Sequence, residues 1–126
     1  MELVLCDEKY WEFVRVIRTH PKNIDNFNTK GEITVQQQRE FMEKNSHRYQ
    51  ICLLNGKPVG YIALGDNNKI QYCVHPDYQG KGIGTFMVKE LFDKIDELQA
   101  YVKVHNIPSQ KVFEKIGFKK FIYYKK

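Results

Sequence analysis

The sequence predicts a mixed α/β domain with elements in the order β-α-α-β-β-β-α-β-α-β, and three observations carry that expectation. Two turn sequences, Asn55-Gly56 and Gly65-Asp66-Asn67-Asn68, separate three short apolar runs, the pattern of consecutive antiparallel strands. Apolar residues recur at i, i+3, i+4, i+7 near the start of the chain and again after Ile83, as in helices with one buried face. Between the last of those strands and the second amphipathic run stand Gly80, Gly82 and Gly84. Glycines there let the backbone turn tightly and bring its N–H groups close to a ligand. The antiparallel start and a single right-handed crossover follow from this order.

The elements are justified in turn. Residues 3–6 form a short strand, and Asp7 is placed to cap a helix carrying Tyr10, Phe13, Val14 and Ile17 on its buried face. His20-Pro21 ends that helix, and the polar stretch to Gly31 is a loop. Thr34-x-x-Gln37 reads as a capping box opening a second helix with Phe41 and Met42. Strands follow over 49–54, 59–64 and 70–74. A long helix from Ile83 carries Met87, Val88, Leu91, Phe92, Ile95 and Leu98 on one face. A strand over 101–104, a helix over 109–116 stopped by Gly117, and a last strand over 118–124 complete the order.

The chain has 126 residues, enough for one domain with a core and too few for two. No segment approaches the roughly 18 consecutive apolar residues of a membrane span. The N-terminus lacks the basic start and long apolar stretch of a signal peptide, so the expected location is cytoplasmic. Cys6, Cys52 and Cys73 lie inside apolar runs without metal-ligand spacing and read as buried thiols. The four histidines are scattered, so no zinc site is expected. Twenty basic against fifteen acidic residues give a net charge of +5. No basic-aromatic pattern accompanies that excess, which argues against nucleic acid and for attraction of an anionic cofactor.

Gly80 to Gly84 open the helix from Ile83, so loop amides, first-turn N–H groups and the helix dipole together form an anion site suited to phosphate or pyrophosphate. A Walker loop needs Gly-Lys-Ser/Thr, and Gly84-Thr85 lacks the lysine. A Rossmann fingerprint needs G-x-G-x-x-G near the first strand, and here the spacing is G-x-G-x-G after the fourth. Gln79-Gly80-Lys81-Gly82-Ile83-Gly84, after Val74-His75-Pro76-Asp77-Tyr78, instead resembles the acetyl-CoA pyrophosphate loop of the GNAT family of N-acetyltransferases. Asn106-x-x-Ser109-x-x-Val112-Phe113-x-x-x-Gly117-Phe118 resembles a second signature of that family, and the likeness covers essentially the whole chain, 1–126, as a single acetyltransferase domain.

The resemblance implies acetyl-CoA as cosubstrate and acetyl transfer to a primary amine by direct attack on the thioester. Gln79, Gly80, Lys81, Gly82, Ile83, Gly84 and Thr85 would hold the pyrophosphate, with Asn106, Ser109 and Phe113 on the opposite side. The strands ending near Val74 and starting near Tyr101 would splay into a V around the pantetheine arm, and the Val74 N–H would meet the thioester carbonyl. The family usually has tyrosine where this chain has Phe113, and that tyrosine assists the departing thiolate. Either the enzyme tolerates the loss, with Tyr123 or Tyr124 as substitute hydroxyls, or the domain only binds acyl-CoA or a partner. The general base is open among Asp66, His75, His105 and a water chain; His105 is preferred because it ends the strand flanking the cleft.

The acceptor region loosely resembles bacterial amino-sugar N-acetyltransferases, with Arg15 and Arg18 placed to meet a nucleotide diphosphate. Peptide N-termini and small amines are the alternatives. The chain is shorter than typical relatives, which implies abbreviated closing strands and either an open acceptor groove or a homodimer whose second copy completes the site.

Overall fold

The computed structural model describes residues 1–27 and 31–120. Among these residues four strands form one antiparallel sheet in the order β1-β2-β3-β4: β1 (Glu2–Leu5), β2 (Tyr49–Leu54), β3 (Lys57–Leu64) and β4 (Ile70–Val74). The β2–β3 connection is the two-residue hairpin turn that Asn55-Gly56 predicts, with both residues at positive φ, 52° and 78°. Among the described residues four α-helices cover the sheet: α1 (Trp11–Thr19), α2 (Val35–Asn45), α3 (Ile83–Phe92) and α4 (Ile107–Ile116).

Strand alternation sorts the core into two layers. Tyr49, Ile51, Leu53, Tyr61, Ala63 and Cys73 face Val14, Ile17 and Met42 of α1 and α2. Cys52, Ile62 and Ile70 face Ile83, Met87, Val88 and Leu91 of α3 and Phe113 of α4. β2 and β3 are therefore buried on both sides, and the three cysteines are free and buried within these layers. α2 has the complete capping box: Thr34 accepts from the Gln37 amide at 3.1 Å while Gln37 Oε1 accepts from the Thr34 amide at 2.9 Å. Asp7 makes no such cap. It precedes a 3-10 turn over Glu8–Tyr10 and its side chain accepts no capping bond, so α1 begins only at Trp11.

The second half of the chain departs from the expected elements in several places, and α4 begins at Ile107 rather than at Ser109. α3 stops at Phe92 rather than running to Leu98, although Ile95 and Leu98 still pack on the α3 side of the sheet. Residues 101–104 form no strand. The parallel contact with β4 is reduced to a single bridge between Lys69 and Gln99, with Ile70 N–H donating to the Gln99 carbonyl at 2.8 Å. Beyond that point the segment is pulled away from β4. The Lys103 ammonium donates to the Asp25 and Phe27 carbonyls at 2.9 Å each, and the Asn106 amide closes a turn onto the Lys103 carbonyl at 2.9 Å. Tyr101 and Val104 are left exposed. Residues 118–120 carry no strand, and the rest of the expected last strand, with Tyr123 and Tyr124, lies outside the described residues.

Candidate active site

The departure of residues 100–104 from β4 opens the expected V. His75 N–H donates to the Val59 carbonyl at 2.8 Å, making Val59 and His75 a bonded pair. The neighbouring pairs Gly60–Val74 and Ile62–Tyr72 are then the non-bonded kind. The backbone N–H and C=O groups of Ile70, Tyr72 and Val74 accordingly point away from β3, toward the V. Gln99 takes the Ile70 amide. Among the described residues no backbone hydrogen bond crosses from 100–104 to Tyr72 or Val74. Among the described residues the Tyr72 N–H and C=O and the Val74 N–H are thus open to an extended ligand along β4, whereas the Val74 carbonyl is taken by Asn23 and Gln79.

At the end of β4 the chain passes through a 3-10 turn over Pro76–Tyr78 into the glycine loop. His75 serves that turn: its Nδ1 accepts from the Asp77 amide at 3.0 Å. Gly80 and Gly82 sit at φ 76° and 81°, in the left-handed region that disfavours side chains, and a Cβ on either would meet nothing within 4 Å. Gly84 has a different reason to be glycine, because a Cβ there would come within 2.9 Å of Tyr72 Cε2. Gly82 is the N-cap of α3, and no side chain caps that helix. The amides of Ile83, Gly84 and Thr85 fall in the first turn, where no intrahelical carbonyl reaches them. α2 satisfies its own N-terminus; α3 presents its N-terminus to the cleft.

That cleft has a volume of about 670 Å³. Its walls include Val74, Gln79, Gly80, Gly82, Ile83, Gly84 and Thr85 on one side and His105, Asn106, Ser109 and Val112 on the other. Lys81 is not part of the wall; its ammonium lies 5.4 Å from the Tyr78 ring centroid. Phe113 is buried beneath the V rather than beside the glycine loop, in edge contact with Tyr72 at 5.9 Å between centroids. His105 is exposed at the rim. Asn106 and Ser109 have internal partners: Asn106 Oδ1 caps α4 by accepting from the Ser109 amide at 3.3 Å, and Ser109 Oγ accepts from the Tyr72 hydroxyl at 3.0 Å. Asp66, in its turn, pairs with Arg48 at 3.0 Å and is remote from the cleft walls.

Two cleft residues went unnoticed in the sequence. Asn23, buried in the α1–α2 connection, donates to the Ile17 carbonyl at 2.9 Å and to the Val74 carbonyl at 3.2 Å, and accepts from Gln79 at 2.7 Å. A lone asparagine in a polar loop gives no sequence signal of this. Tyr72 was hidden as one apolar residue of a strand. A separate hollow of about 870 Å³, lined by Phe92, Leu98, Val102 and Phe118, shares none of the glycine-loop residues and meets the V at Phe113.

An anion cradle at an uncapped helix start, continuous with an open strand edge, has the form to receive a phosphorylated carrier with an extended arm. The match of residues 9–118 to the acetyltransferase (GNAT) family model makes the identification specific: the chain belongs to that family. It is 27% identical over 94 residues to an uncharacterized N-acetyltransferase of Methanocaldococcus jannaschii, covering 61% of this chain and 41% of the relative. It is 34% identical over 65 residues to the L-amino acid N-acyltransferase of Escherichia coli K12, covering 44% of this chain and 38% of the relative. The chain thus spans about two fifths of the length of these curated relatives. The crystal structure of spermidine N-acetyltransferase from Vibrio cholerae, in complex with CoA and spermine, superposes with a TM-score of 0.82 at 16% identity. That superposition covers 92% of this chain and 79% of the other, and establishes a shared fold. Among the described residues no helix is long and apolar enough to cross a membrane.

Proposed function

We propose that residues 1–126 act as a single acetyltransferase domain that moves the acetyl group of acetyl-CoA to a primary amine by direct attack on the thioester. The observation that carries this reading is the continuity of the uncapped α3 N-terminus with the free outer edge of β4. Gly80, Gly82 and the first-turn amides of α3 would receive the pyrophosphate, since among the described residues nothing lies within 4 Å of a Cβ built at either glycine and no side chain caps α3. Tyr72 would pair its outward backbone N–H and C=O with the pantetheine arm, while the Val74 carbonyl stays with Asn23 and Gln79. An N–H of that edge, at Val74, would then face the thioester oxygen as charge develops on it. Such a preorganised donor is worth about 10²–10³ in rate. CoA supplies a thiolate leaving group; the protein positions the carbonyl and stabilises its oxyanion.

The attacking amine must be neutral, and His105 at the cleft rim is the residue assigned to take its proton. For the acceptor we favour an amine on a phosphate-bearing molecule such as a nucleotide-linked amino sugar. Arg15 is committed to Glu12 and to the Ile33 carbonyl. Arg18 is the better placed cation: it lies 5.0 Å from the ring of Phe27, a cleft residue, and forms no ion pair among the described residues. Lys22 adds a second positive charge on the same wall. Release of free CoA against a panel of amino sugars, their nucleotide conjugates, peptides and polyamines tests this. Selective turnover of the nucleotide conjugates supports the acceptor reading; preference for peptides or polyamines replaces it, and background hydrolysis with every amine leaves only a binding module.

A further inference from the structure

The Tyr72 phenol stands where two hollows meet. The glycine-loop cleft and the smaller hollow inside the V, about 80 Å³, share Asn26, Phe27, Tyr72, Asn106 and Ser109. The ring is held from two sides, by the bare backbone of Gly84 and by Phe113. Its hydroxyl meets Ser109 Oγ at 3.0 Å, and the hollows it borders are lined by Phe27, Ile83, Val112 and Phe113 as well as by Asn26 and Asn106. Two hydroxyls own two donor protons, and their mutual bond uses one. Among the described residues Ser109 Oγ donates to no other group. One donor is therefore spare at the neck, directly beside a phenylalanine that has none.

On the acetyl-CoA reading above, the event that needs a donor here is departure of the thiolate. We propose that the Tyr72 hydroxyl, backed by Ser109, hydrogen-bonds the CoA sulfur and stabilises the thiolate in place of a group that Phe113 cannot supply. As the amine nitrogen bonds to the carbonyl carbon, the C–S bond breaks and its electron pair stays on sulfur. Tyr72 O–H turns from Ser109 to sulfur, and the Ser109 hydroxyl proton turns to the Tyr72 oxygen. The proton lost by nitrogen leaves through His105 or water, and the thiolate is protonated from solvent on release, so no net charge remains on the protein. Burial raises the Tyr72 pKa above the usual phenol value, which keeps its proton in place at neutral pH for this purpose.

The consequence is measurable without knowing the acceptor. A donor to sulfur lowers the thiol pKa of bound CoA below that of free CoA, so CoA affinity rises with pH between the two values. Calorimetric titrations of CoA from pH 7 to 9.5, normalised to S-methyl-CoA, should show a rise of roughly tenfold, equivalent to one pKa unit. Tyr72→Phe, which keeps the ring contacts, should flatten that rise to less than about threefold, and Ser109→Ala should reduce it; thermal melting confirms that each variant is folded. An equal rise in Tyr72→Phe, or none in the wild type despite CoA binding, overturns the role of Tyr72 alone. Failure of the wild type to bind CoA at any pH overturns the acetyl-CoA reading and this inference with it.

Discussion

Gln79 Nε2 donates to Asn23 Oδ1 at 2.7 Å, and the two side chains converge on one atom, each donating to the Val74 carbonyl at 3.2 Å. The triangle joins the α1–α2 connection, the end of β4 and the first residue of the glycine loop. It fixes how the anion cradle sits relative to the strand edge that would carry the pantetheine arm. Asn23 also satisfies the Ile17 carbonyl near the end of α1, so one buried side chain ties the acceptor side to the cofactor side.

Removing that side chain should cost both stability and affinity. Asn23→Ala removes the Ile17 carbonyl's amide donor and one of the two donors to the part-buried Val74 carbonyl, and each lost hydrogen bond costs about 0.5–1.5 kcal/mol. Urea unfolding should register a loss in that range, and titration calorimetry should show weaker acetyl-CoA binding. Wild-type affinity in the variant would mean that the loop keeps its geometry without the triangle.

The loop glycines should fail for different reasons. Gly84→Ala puts a methyl within 2.9 Å of the Tyr72 ring and should destabilise by about 1–3 kcal/mol, an overpacking cost. Gly82→Ala enters open space but forces φ 81° on an L-residue, about 1–2 kcal/mol of backbone strain. Thermal melts read both costs. A simultaneous Tyr72→Ala should relieve the first and leave the second, which a double-mutant cycle measures.

Phe113→Tyr places a second hydroxyl beside Tyr72 and Phe118, with which Phe113 is in ring contact at 5.9 Å and 5.0 Å between centroids. Turnover should rise or stay unchanged, because Tyr72 already offers a donor there. A large fall in kcat with intact folding would show that Phe113 packs against the cofactor and has no bearing on the thiolate.

Alkaline pH should unfold the protein through its thiols. Burial pushes Cys73 up to about 12 and Cys6 up to about 11, against 9.0 for an ordinary thiol. The unfolded chain releases these protons first, so stability is intact below about pH 9 and falls as pH rises from 9.0 through 11 and 12. Cys73→Ala should flatten that decline in unfolding experiments between pH 8 and 11. An unchanged slope would place the alkaline transition elsewhere.

Much of this was legible in the residues. β2 and β4 run over the ranges their apolar runs define, and the Thr34 capping box and the Asn55-Gly56 hairpin form as local chemistry demands, because each is decided within a few residues. The glycine loop was legible as an anion cradle for the same reason. What local pattern did not reveal depends on distant partners. The apolar run at 101–104 reads as a strand, yet Lys103 is drawn to the carbonyls of Asp25 and Phe27, so it lies apart from β4. Gly84 reads as one more loop glycine, and only the Tyr72 ring shows why it lacks a side chain. Asn23 and Tyr72 carry no motif because their partners lie 56 and 37 residues away.

The central claim is that the cleft between the glycine loop and the open edge of β4 binds acetyl-CoA. Urea unfolding with and without acetyl-CoA at a hundredfold its Kd tests this most directly. Mass action predicts a gain of about 2.7 kcal/mol, lost when the cradle is disrupted by Gly82→Ala. No gain at millimolar acetyl-CoA would contradict it.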